Sequence, residues 1–244
     1  KVPTTYWCCV NCPGNPGAWK RHAVYHKAVK RLQKNTEDGG VAQQRNRETA
    51  EEAARSAAES GDKYRELLAE GSRYASQRDT RRAARACREA IALRPDEPVA
   101  YFNLANALNI SGHDVEAAQR YLEAKERLPA GSERWAVTTA TAFNMLTQKE
   151  CDEVAKPKWW NDEGLKALSA RVVRAAPDDV QANQMRALVL CGVAGAWEAG
   201  PRSAAELEEA ATHYERTAAL SPAPAMKAEL AGEAAWCRSQ VDAM

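Results

Sequence analysis

The chain has 244 residues, of which 45% are hydrophobic and 27% charged, with a formal net charge of only +1. That length accommodates one large domain, or a repeat array plus a small module. Alanine is abundant, only two phenylalanines occur and β-branched runs are few, which argues against sheets and for packed helices. No apolar run approaches the roughly 20 residues needed to span a bilayer, so no membrane partner is expected.

Charge is unevenly placed. Residues 1–36 carry seven Lys or Arg and no Asp or Glu; against +1 overall, the rest of the chain sums to −6. The same segment holds Cys8, Cys9 and Cys12, three of the seven cysteines. Cys9 and Cys12 form a C-x2-C pair on a Pro/Gly-rich knuckle. A helix is expected over 18–34, and it would set His22 and His26 one turn apart on one face. Two thiolates and two imidazoles make a tetrahedral structural zinc site by chemistry, although the nine residues between the pairs are fewer than zinc fingers usually have. A second pattern overlaps the first: Cys8-x3-Cys12, then Trp19-Lys20-Arg21-His22, then His26. It resembles the C-terminal half of a MYND finger, with His26 where that family has a final Cys. The resemblance implies ligands divided between two interleaved zinc ions. The competing reading is a remnant with free cysteines and a solvated basic helix. Residues 18–34, with Trp19 and Tyr25, also form a candidate phosphate-contacting surface for a nucleic acid.

Residues 37–63 read as a connector. Glu37-Asp38-Gly39-Gly40 is a hinge, and 47–60 is a helix former whose apolar face is mostly alanine. Gly61-Asp62 stops one helix and starts the next.

A superhelical array is expected over 64–244. In 98–131, Tyr101, Leu104, Ala105 and Leu108 recur at helical spacing. Ser111-Gly112 breaks the helix and Asp114 is the expected cap of the next, which presents Ala117, Ala118, Tyr121, Leu122 and Ala124. Pro129 ends it. Shifted back by 34 residues, Leu67, Gly71, Tyr74, Ala83, Cys87, Ala90 and Pro95 repeat the order of large, small and proline positions. This resembles the tetratricopeptide repeat, and it implies an all-α, right-handed α-solenoid of about four helix pairs plus a capping helix. Cys87 falls at a core position of its unit, which favours a reduced thiol and an intracellular, cytoplasmic or nuclear location.

Proline closes each unit, at Pro95, Pro129, Pro177 and Pro222, spaced by 34, 48 and 45 residues. The third and fourth units are therefore lengthened, and the extra residues are expected within 148–164 and 191–207. Both stretches carry tryptophan: Trp159 and Trp160, then Trp197. Such residues dock a loop onto the core or anchor a partner. Residues 225–242 read as the first helix of a fifth unit, capping the array.

No catalytic motif emerges; G-x-S-x-G, H-E-x-x-H and a P-loop are all missing, and His113 and His213 are expected at the surface. A solenoid works through its concave face. The familiar carboxylate clamp of tetratricopeptide proteins would need Lys and Asn where this chain has Leu68 and Ser72, and Lys and Arg where it has Glu133 and Val137; only Asn103 fits, so a chaperone clamp is not expected. Val99, Phe102, Asn106 and Asn109 offer instead an apolar and amide surface for a helix or an extended peptide. The leading expectation is a non-enzymatic scaffold that binds a protein or peptide partner. The alternatives are a nucleic-acid-associated regulator and a catalytically silent subunit of an enzyme complex.

Overall fold

In the computed structural model, the described residues are 48–244 except 53, 54, 58, 60, 193–195, 222 and 223. Cys8, Cys9, Cys12, His22, His26 and the basic stretch 18–34 lie outside them. Among the described residues the chain is all-helical, without a strand. Nine α-helices follow a partly described helical stretch: α1 (Lys63–Ser76), α2 (Thr80–Leu93), α3 (Pro98–Ile110), α4 (Asp114–Arg127), α5 (Glu133–Leu146), α6 (Asp162–Ala175), α7 (Val180–Cys191), α8 (Ala204–Leu220) and α9 (Pro224–Val241). A 3-10 turn, Lys149–Cys151, sits between α5 and α6. Each helix packs on the next, and α7 also packs on α5.

The helix starts follow from local chemistry. Asp62, Asp79, Ser132, Asn161, Asp179 and Ser203 each accept a backbone N–H from the first turn of the helix that follows, satisfying donors left without an intrahelical partner. Ser203 and Glu206 bond reciprocally as a capping box. One start differs from the sequence expectation. Asp114 does not cap α4; His113 is the flanking residue and makes no side-chain cap bond. With Gly112 turning the chain at φ +79°, the helix starts one residue earlier than a cap at Asp114 requires. Asp114 instead lies in the first turn, where its charge complements the helix dipole.

The core falls into three apolar clusters along the chain and is rich in small residues. Ala105, Ala117, Ala118 and Ala124 are fully buried, and Tyr121 and Leu104 fill the space that close backbones leave between them. Leu122, by contrast, is only half-buried. At the far end α9 buries Leu230, Ala234 and Cys237 while Ala228, Ala231, Gly232 and Ala235 on another side are exposed. No described helix is long and apolar enough to cross a membrane.

Candidate functional site

One helix face changes character along the array. Val99, Phe102, Asn106 and Asn109 stand four, seven, eleven and fourteen residues after Pro95. All four are half-buried on α3, as is Asn103 beside them. Counting the same way from Pro129 selects Glu133, Ala136, Ala140 and Phe143 on α5, and from Pro177 Gln181, Gln184, Leu188 and Cys191 on α7. Ala136, Ala140 and Phe143 are completely buried, and Gln184, Leu188 and Cys191 are buried as well. The upstream equivalents on α1, Arg65, Leu68, Ser72 and Ala75, are exposed or half-buried. Beyond its first position, where Glu133 is exposed and Gln181 half-buried, the face is therefore open on α1 and α3 and covered on α5 and α7.

The two long connections take part in the covering. The Phe143 ring lies 5.5 Å from that of Trp160 and 5.8 Å from that of Trp197, and the two indoles meet edge to face at 6.1 Å. Trp160 Nε1 donates to the carbonyl of Ala196 at 2.8 Å, which ties the first connection to the second. Trp159 packs on Trp160 at 5.7 Å and touches the apolar clusters on both sides of it. Lys156 Nζ lies 5.2 Å over the Trp160 ring and donates to the carbonyls of Leu146 and Cys151. It thereby caps the C-terminal end of α5, and burial lowers its pKa. Asn144 on α5 donates to Gln181 on α7, closing the seam between those helices.

Electrostatics lock the same region. Arg202, its side chain only 7% exposed, makes a two-pronged pair with Asp162 at 2.6 and 2.9 Å and donates to the carbonyl of Val189. Bonds from Arg202, reinforced by Lys166, hold the Asp162 carboxyl well below the usual carboxylate range. Lys166 also reaches Glu206 at 2.6 Å; burial opposes that carboxylate's charge, but Lys166 and the Ser203 bonds outweigh it and its pKa falls to about 2. Two glycines make this fit. Gly192 has φ +68°, and a Cβ there would meet the Arg202 guanidinium at 2.8 Å. A Cβ on Gly164 would meet the carbonyl oxygen of Trp159 at 2.6 Å.

The open face is preorganised rather than loose. Tyr121, buried beneath it, donates to Asn106 Oδ1 at 2.5 Å, and Phe102 packs edge-on against the Tyr121 ring at 5.5 Å. Burial pushes the Tyr121 phenol far above its ordinary pKa, so the hydroxyl stays protonated and donating.

His113 is exposed, as its turn position suggests, but His213 is not. Its side chain is 15% exposed, and Nδ1 meets Asn183 Oδ1 at 2.9 Å. Asn183 donates its own amide to the carbonyls of Pro177 and Asp179, which fixes its oxygen as acceptor and His213 Nδ1 as donor. The polar residues around His213 in sequence hid this, because the partner that buries it comes from α7, thirty residues away. Among the described residues no three His, Cys, Asp or Glu side chains gather as a metal group. No model of a known protein family matches the chain, and no curated protein matches it.

Proposed function

We propose that the protein is a tetratricopeptide-like scaffold that holds an extended peptide segment of a protein partner on the α1–α3 face. The observation that carries this reading is the contrast along the array. The face with Val99, Phe102, Asn103, Asn106 and Asn109 remains accessible, while the counterparts of Phe102, Asn106 and Asn109 on α5 and α7 are buried. Carboxamides suit a peptide backbone because each offers both a donor and an acceptor, and Val99 and Phe102 supply apolar contact for alternate side chains. In this reading Trp160 and Trp197 stiffen the second half of the array and are not themselves anchors. The N-terminal Cys/His segment adds a structural zinc module: zinc analysis should find metal that Cys12→Ser removes, and a metal-free chain would remove that module from the reading.

A displayed library of unstructured peptides, selected on the full chain, tests the scaffold. Selected peptides should shift backbone amide resonances of α1 and α3 and bind about tenfold more weakly to Asn109→Ala or Phe102→Ala. Circular dichroism would verify that both variants remain folded. Peptides that bind both variants with unchanged affinity, or that shift only other helices, would sink the proposal.

A further inference from the structure

On another part of the molecule, a cleft of about 320 Å3 opens between the end of α4, the start of α5 and the middle of α6. Leu128, Leu168, Trp135 and Trp159 give it apolar and aromatic walls, and Lys125 and Arg171 bring cations to it. The indoles come from different places: Trp135 opens α5, while Trp159 belongs to the long connection before α6. Lys125 Nζ lies 5.6 Å from the Trp159 ring centre, and the Arg171 guanidinium 5.1 Å from that of Trp135.

The charge balance selects the ligand. The Lys125 side chain is 9% exposed and pairs at 2.8 Å with Glu126, whose own side chain is 68% exposed. A pair with so exposed a carboxylate yields readily to a competing anion. Arg171 is exposed and has no carboxylate partner among the described residues. The cleft therefore carries one positive charge in excess beside aromatic walls. Cations already lie over both indoles, so a cationic guest would be repelled and an anionic one attracted. The volume stands at the low end for small-molecule sites, which suits a guest of one or two rings.

We propose that this cleft binds a small planar organic anion, its ring against the half-buried Trp159 and Leu128 and its charge at Arg171 and Lys125. The inference is independent of the peptide-binding face. Isothermal titration of the full chain with 2-naphthoate and its neutral carboxamide, 2-naphthamide, tests it. Naphthoate should bind saturably at one site, about tenfold more tightly than naphthamide. Arg171→Gln, an exposed change that leaves the fold intact, should lower naphthoate to the affinity of the amide and leave the amide unaffected. Ala167→Trp, which fills the cleft from the exposed side of α6, should abolish both. No saturable binding, equal affinity for the two probes, or full naphthoate affinity in Arg171→Gln would overturn the proposal.

Discussion

Tyr121 and Asn106 are joined by a 2.5 Å hydrogen bond in which the buried phenol is donor and the half-buried carboxamide oxygen is acceptor. The bond leaves the Asn106 amino group as the group's remaining donor, so a core residue sets the polarity of the open face. Tyr121→Phe should cost about 1 kcal/mol, because water can still reach the partly exposed carboxamide. Tyr121→Ala should cost about 4 kcal/mol, since it also empties a fully packed site. Urea denaturation midpoints would separate the two. Tyr121→Phe should in addition weaken any peptide held on α3.

Trp160 stands between Phe143 and the second long connection. Trp160→Ala should destabilise the protein by about 3–5 kcal/mol through the cavity it leaves and the loss of its bond to Ala196. Amide exchange in α5 and in residues 196–202 should rise together. A change confined to the first connection would show that the two connections are not joined through this ring.

The Asp162–Arg202 pair makes a pH prediction. The carboxyl's pKa is lowered in the folded chain, mainly by its bonds to Arg202. An acid with a depressed folded pKa contributes stability that is fully present above its unfolded value, near 4, and is lost as pH falls through the folded value. Acid unfolding should therefore begin below about pH 4 for this group. Asp162→Asn should remove that part of the acid dependence and destabilise the chain by about 3 kcal/mol at pH 7, because Arg202 stays buried without its counter-charge.

His213 acts in the same sense over a higher pH range. Burial lowers its pKa, outweighing the attraction of Glu209 at 3.7 Å, with Arg186 and Arg216 adding to the depression. The unfolded chain thus takes up the proton first, so stability falls as pH drops below about 6.5. Thermal midpoints of the native chain should decline between pH 7.5 and 5.5, and His213→Gln should flatten that decline. Equal slopes in the two proteins would exclude His213 as the source.

Sequence alone reached far into the first two helix pairs. Tyr101, Leu104, Ala105, Leu108, Ala117, Ala118, Tyr121 and Ala124 were legible as core from helical spacing, and all are buried. Helix ends at Gly61-Asp62, Ser111-Gly112 and Pro129 were legible because their chemistry is local. Asp114 was misplaced as a cap by one residue, since the φ of Gly112 is not written in its neighbours' identities.

What sequence by itself determined is the all-helical class and the even spacing of core positions, because helix formation and amphipathic burial depend on residues three and four apart. Only the tertiary structure decided which stretches of the repeated face stay open. Spacing assigns Val99 and Glu133, or Asn109 and Phe143, to equivalent places. It cannot say that Trp160 and Trp197, from two connections far apart in the chain, converge on Phe143, or that Asn183 draws His213 inward. Those contacts depend on long-range packing, in which a loop's path is set by the surface it buries against rather than by its own residues.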